Sequence, residues 1–163
     1  MATLEEILQA RDERQARQRE MLRENPGKTL LCLTVVMPGS VKRNRQSLIV
    51  ANAALDALTA QFGSSGLQKR DLQTGFEAYL LTSLSPLEAK RPVCRIEQEH
   101  PLGRLFDIDV IGQDGVPLQR ADIGLEPRKC LLCDQPARWC MRGHTHSTEE
   151  ILARIDEMVN AYV

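Results

Sequence analysis

Two aspartates one residue apart, and a run of cysteines and histidines further on, are the side chains of this sequence best suited to chemistry. In Phe106-Asp107-Ile108-Asp109-Val110-Ile111, apolar and acidic residues alternate. On a β-strand both carboxylates then point one way and the apolar side chains the other. Such a pattern also fits an edge strand with an acidic solvent face. Side-by-side carboxylates repel, however, and a hard divalent cation such as Mg²⁺, itself bridging phosphate oxygens, is the usual partner that neutralises them. Just upstream, Gly103-Arg104 offers backbone that can approach a phosphate closely and a guanidinium that can bind it bidentately. A third carboxylate, Asp122, is expected on a strand returning from the turn Gln113-Asp114-Gly115, across from the pair. His100, before the loop, could orient phosphate, act as a base, or cap the helix that precedes it. A Gly-Arg loop after a short helix, followed by a strand bearing D-x-D, is the local layout of nucleotidyltransferases. There an oxygen nucleophile displaces pyrophosphate from a triphosphate and a carboxylate can accept its proton.

The second cluster reads C-x₂-C-x₆-C-x₃-H-x-H: Cys130, Cys133, Cys140, His144 and His146. Three thiolates and one imidazole complete a tetrahedral Zn²⁺ site, with the two histidines competing for the fourth position. The alternative is a reduced cluster packed as small hydrophobes, or a redox-active C-x-x-C. The stretch Asp134 to Trp139 is short for the hairpin that normally surrounds a ligand pair. Cys32 and Cys94 stand alone in apolar surroundings, and five cysteines is an odd number, so this is no secreted disulfide framework.

The elements that must position these groups follow from the pattern. Thr3 and Glu6 make a capping box for a helix running to about Leu22 and stopped by Asn25-Pro26-Gly27. Its middle, Arg11 to Arg19, has no apolar face to bury. Within it Arg11, Arg14 and Arg17 form a cationic stripe, by default a solvated face. Leu30 to Met37 is a continuous apolar run suited to a central strand buried on both faces. Gln46 to Phe62 is a helix ended by Gly63-Ser64-Ser65-Gly66, and Phe76 to Thr82 is a second strand. Pro92 suits the first turn of a short helix to about Glu99. Ser147 and Glu150 cap a closing helix with Ile151, Leu152, Ile155, Met158 and Val159 on one face. The expected fold is α/β (α+β): a mixed sheet of about four strands flanked by helices, nucleotidyltransferase-like, within a single domain over 1–163. Residues 126–146 carry the Cys/His cluster and 147–163 the closing helix.

Composition narrows the classes. At 163 residues and 42% hydrophobic, the chain can bury a core without covalent staples. Its longest apolar run falls well short of the roughly 20 residues of a membrane span, and Met1-Ala2-Thr3-Leu4 opens no signal peptide, so a soluble, cytoplasmic protein is expected. With 22 acidic and 21 basic side chains there is no general pull toward nucleic acid or anionic lipid; anions must be held by local clusters.

Three blocks carry a resemblance to a known family. They are Arg11-Asp12-Glu13-Arg14-Gln15-Ala16-Arg17-Gln18, His100-Pro101-Leu102-Gly103-Arg104-Leu105-Phe106-Asp107-Ile108-Asp109-Val110, and Pro127-Arg128-Lys129-Cys130-Leu131-Leu132-Cys133 with Cys140, Arg142-Gly143 and Thr145-His146. In these blocks the sequence resembles the apo-citrate lyase phosphoribosyl-dephospho-CoA transferases, or holo-citrate lyase synthases (CitX). The resemblance implies transfer of 2′-(5″-phosphoribosyl)-3′-dephospho-CoA from its triphosphate precursor to a serine of the citrate lyase acyl carrier protein, with release of pyrophosphate. It implies Mg²⁺ held by Asp107 and Asp109, phosphate cradled by Gly103 and Arg104, and Arg14 and Arg11 near the triphosphate or the acidic carrier. It favours His146 as fourth zinc ligand, and a separate synthase as source of the precursor. A rival reading from a different class is a non-catalytic zinc-binding adaptor that binds another protein through the cysteine cluster and the arginine helix.

Overall fold

Leu30-Leu31-Cys32-Leu33 is apolar on both sides because the strand it forms is covered on both. The computed structural model, which describes residues 1–163, places β1 (Thr29–Val35) inside a four-stranded sheet with β2 (Gln68–Leu72), β3 (Gly75–Thr82) and β4 (Phe106–Ile111), in the order β2-β3-β1-β4. All three pairings are antiparallel, so the expected mixed sheet is corrected to a wholly antiparallel one. The overlooked element was β2, a strand of Gln, Lys, Arg and Asp with one apolar residue. Charge of this kind blunts a sheet edge and erases the apolar signal by which strands are recognised.

Alternation gives the sheet two faces. Leu31, Leu33, Leu80, Ile108 and Val110 form the main core with α2 (Arg45–Phe62), α3 (Pro86–Glu99) and α5 (Thr148–Tyr162). On the other face Leu30, Cys32, Tyr79, Leu81 and Ile111 pack under Met21 and Leu22, at the end of α1 (Leu4–Glu24). The arginine-rich middle of α1 does meet the sheet, contrary to expectation, because the sheet there is polar too. Arg14 donates to Glu77 Oε2 at 3.1 Å, Arg17 to Gln68 Oε1 at 3.0 Å, and Arg70 to Glu13 Oε2 at 3.1 Å. At its start Thr3 accepts the Glu6 N–H, while the Glu6 carboxylate accepts from the Thr3 hydroxyl and not from its backbone.

Helix α3 starts earlier than Pro92 suggests. Ser85 and Glu88 form a reciprocal capping box with Pro86 in the first turn, and Pro92 lies inside the helix. The hairpin expected after β4 is reduced to one bridge, Ile111 with Pro117, after which the chain makes a short 3-10 turn over Arg120–Ile123. The outer edge of β4 is closed by side chains and loop: Arg128 donates to Phe106 O at 2.7 Å, Glu97 accepts the Ile108 N–H at 3.4 Å, and Leu118 N–H donates to Val110 O at 2.9 Å. Glu97 is itself held by Arg120 and Arg128. The last short helix, α4 (Ala137–Gly143), precedes α5. No helix is long and apolar enough to cross a membrane.

Candidate active site and metal centre

Strand β4 puts Asp107 opposite Thr34 and Asp109 opposite Cys32 on the α1 side of the sheet. Asp107 is exposed and Asp109 half-buried. Burial, and then the charge of Asp107, raise Asp109 from the ordinary carboxylate range to about 6; Lys90 and Arg14 offset only part of the rise. Lys90 is a buried lysine of α3 that no periodicity marked.

Beside this pair lies a cleft of about 180 Å³ between α1, β1 and the 37–42 loop, lined among others by Arg11, Arg14, Lys42, Thr34 and Thr74. Three cations converge there. Arg14 is braced by the buried Glu77, which also accepts from Tyr79 Oη at 2.7 Å and from Arg70 at 3.4 Å. Lys42 donates to Met37 O at 2.6 Å, and burial, then the nearby Arg11 charge, lower its pKa. Glu77 and Lys42 were missed in the sequence, although a lone glutamate inside the apolar strand Phe76–Thr82 was a visible anomaly.

The other sequence-derived candidates have structural partners. Gly103 is buried in a 3-10 turn packed on the end of α3; a Cβ there would overlap the Glu97 carbonyl and approach the Ile96 carbonyl oxygen to 2.7 Å. Gly103→Ala is therefore expected to destabilise the protein by about 3 kcal/mol, a fall of roughly 10 °C in Tm by thermal denaturation; an unchanged Tm would show that this packing gives way freely. Arg104 donates to Lys129 O, tying the Cys/His segment to the start of β4. His100 is the C-cap of α3. Its Nδ1 accepts the Leu102 N–H at 2.9 Å, its ring packs on Phe106 and Tyr162, and burial lowers its pKa. Asp122 is not on a returning strand. It is exposed in the 3-10 turn and accepts the Gln119 N–H at 2.7 Å, because Pro117 and the turn end the pairing that would have carried it across from Asp107.

The Cys/His cluster does converge. One ligand atom each from Cys130, Cys133, Cys140 and His146 lies within 4.8 Å of the others, close to the roughly 3.7 Å edge of a tetrahedron of sulfur ligands around zinc. The hairpin that looked missing is present. Lys129 bridges Pro136, Cys130 N–H donates to Gln135 O at 2.7 Å, and Ala137 N–H donates to Arg128 O at 2.9 Å, folding the chain back around Cys130 and Cys133. Burial opposes ionisation of Cys130, but N–H groups of Leu132 and Cys133 and the neighbouring thiols outweigh it and bring the thiol to about 7. His146 Nε2 is buried without a hydrogen-bond partner, an orphan that a metal ion would satisfy, whereas His144 is exposed in a left-handed C-cap. The donor set fits a bound metal. The lone thiols are of another kind: burial pushes Cys32 up to about 12 and raises Cys94 as well.

Fold and cluster define a small mixed α/β protein, five helices on a four-stranded antiparallel sheet, with a C-terminal Cys/His cluster. The chain belongs to the CitX family, apo-citrate lyase phosphoribosyl-dephospho-CoA transferase, whose family model matches residues 2–162. Apo-citrate lyase phosphoribosyl-dephospho-CoA transferases of Shigella boydii serotype 18 and Escherichia coli O157:H7 are each 37% identical to it, over 97% of this chain and 88% of their own length. Membership of a transferase family sets aside the non-catalytic adaptor.

Proposed function

We propose that the chain transfers the 2′-(5″-phosphoribosyl)-3′-dephospho-CoA group from its triphosphate precursor to a serine of the citrate lyase acyl carrier protein, using β4 as a nucleotidyltransferase uses its aspartate-bearing strand. One adjacency carries the reading: Thr34 lines the cleft of Arg11, Arg14 and Lys42, and the same residue pairs across the strands with Asp107. A polyanion seated in the cleft thus ends beside the carboxylates.

Two carboxylates on one face, one held near 6 by burial and by the charge of the other, are a donor set that suits Mg²⁺. Asp107 and Asp109 would hold the ion, which when bound supplies neutralising charge to the triphosphate. Arg11, Arg14 and Lys42 take the outer phosphates and stabilise the charge that gathers there as pyrophosphate leaves. Glu77 fixes Arg14 in advance, so little reorganisation accompanies binding. The carrier serine oxygen forms the new bond to the phosphorus next to the ribose as the bond to the pyrophosphate oxygen breaks, and its proton passes to a carboxylate oxygen of the pair. No covalent enzyme intermediate is needed. Gly103, Arg104 and His100 then act by holding β4 and the metal loop in place. A Cys₃His set with an N–H···S bond from Leu132 to Cys130 at 3.4 Å suits structural Zn²⁺, in a cytoplasmic protein with reduced thiols whose precursor comes from a separate synthase.

Mass spectrometry of the carrier protein incubated with this chain, the precursor and Mg²⁺ tests the reading. A mass gain of one phosphoribosyl-dephospho-CoA group on a single serine, with pyrophosphate released, is expected. An unmodified carrier would overturn it.

A further inference from the structure

Helix α4 is short, and most of its side chains face outward. Cys140 turns in toward the metal cluster, while Arg138, Trp139, Met141 and Arg142 are exposed, Trp139 by 71% and Met141 by 76%. Neither arginine pairs with a carboxylate, and Lys129 beside them is also exposed and unpaired. From Pro127 to His146 there are four basic residues, Arg128, Lys129, Arg138 and Arg142, against one acidic, Asp134, in a chain whose net charge is −1. An exposed tryptophan and methionine flanked by unpaired arginines have the composition of an interface hot spot.

The patch adjoins the aspartate strand. Ala137, the first residue of α4, donates to Arg128 O, and the Arg128 guanidinium donates to Phe106 O, the residue before Asp107. The helix is about 10 Å long, so the whole patch stays near the site. We infer that α4 is the docking surface for the acidic protein that presents the acceptor serine, with Arg138 and Arg142 meeting its carboxylates and Trp139 its apolar surface. This rests on the carrier protein being the acceptor. Charge complementarity decides the occupant: a surplus of unpaired cations around an apolar centre recruits a small acidic domain and steers its approach, and would repel a second copy of itself.

Trp139 is the only tryptophan of the chain, so its emission reports the patch directly. The experiment adds citrate lyase acyl carrier protein to the full metal-loaded chain bearing Asp107→Asn, so that binding is read without turnover. Calorimetry measures affinity in parallel, and a tryptophan-free carrier is used. Docking at α4 is expected to shift Trp139 emission to the blue and shield it from acrylamide. Arg138→Glu with Arg142→Glu should weaken binding on the order of 100-fold at low salt and leave precursor affinity unchanged. Carrier binding by calorimetry with Trp139 emission unmoved, or an unaltered affinity in the double variant, overturns the docking surface and leaves the transferase reading standing. A blue shift that grows with the chain's own concentration, without carrier, makes the patch a self-association face and equally overturns it. Absence of both carrier binding and transfer by the wild type removes the acceptor reading, and the inference with it.

Discussion

Asp107→Asn and Asp109→Asn each lower transfer to the carrier protein by about 10³-fold or more, with the fold intact by circular dichroism. That is roughly 4 kcal/mol of transition-state stabilisation, the scale of losing a clamp on the reacting phosphate. The asparagine keeps the shape of the side chain and removes the charge that would hold the cation. Unchanged transfer by both variants would sink the role of β4. Asp109 adds a second readout. Its folded pKa of about 6 lies above the ordinary carboxylate value of 3.8, so folding disfavours its ionisation. The cost, on the order of 3 kcal/mol, is fully present above about pH 7 and is lost as pH falls through the folded value and below 3.8, so that by about pH 3 folded and unfolded states are both protonated. Without divalent cations, Asp109→Asn should therefore be more stable than the wild type at pH 7 to 8, and the gain should vanish at about pH 3 in urea titrations. A variant that is inactive yet more stable separates a functional carboxylate from a structural one; an Asp109→Asn protein less stable than the wild type at pH 8 would contradict the electrostatic account.

Removal of metal from the Cys₃His cluster has the second large effect. Structural zinc contributes folding free energy outright, on the order of 10 kcal/mol in small zinc domains, because the ligands do not assemble without it. Held by Cys130, Cys133, Cys140 and His146, it would close a segment attached to the rest through Arg128 and Arg104. Chelation, or Cys133→Ser, should release a single zinc per chain by elemental analysis and lower Tm by about 20 °C or more. Transfer should fall as well, since Arg128 also donates to Gly103 O, Arg104 O and Phe106 O just before Asp107. A metal-free protein with the same Tm would reject the structural role.

The parts of the fold that were legible in the sequence are those whose signal is local. The apolar run of β1, the alternation of β4, the helical spacing in 46–62 and the capping box at Ser147 all describe what one segment does alone. What escaped depends on partners. The polar middle of α1 has no apolar face, so nothing along the chain says that Glu77, Arg70 and Gln68 will meet it. Strand β2 hides its pairing behind edge charges. The capping box at Ser85 and Glu88 is a local signal for the start of α3, but Pro92 suits a first turn equally well and points to a later start. In the site, Asp107 and Asp109 and the Cys₃His ligands are close in sequence and could be seen as sets. Lys42 reaches the cleft only because the loop before α2 folds back over β1, and Lys90 reaches Asp109 only because α3 packs beside β4. Asp122 differs from expectation for the complementary reason, since a turn signal specifies the reversal but not how far the returning chain stays paired, and here the pairing ends at Pro117.

The closure of β4's outer edge has a consequence in time. Its caps come from both directions along the chain: Glu97 precedes the strand, whereas Leu118 and Arg128 follow it. During synthesis the strand and the core beneath it emerge first, and for the seconds until residue 128 leaves the ribosome the newborn sheet presents open backbone at this margin. Any chain that ends between β4 and Arg128 keeps that margin open for good, with its Phe106 carbonyl free to pair with a neighbour. The Cys/His segment is thus also the last piece of the protein's own seal, and production of usable protein depends on its arrival.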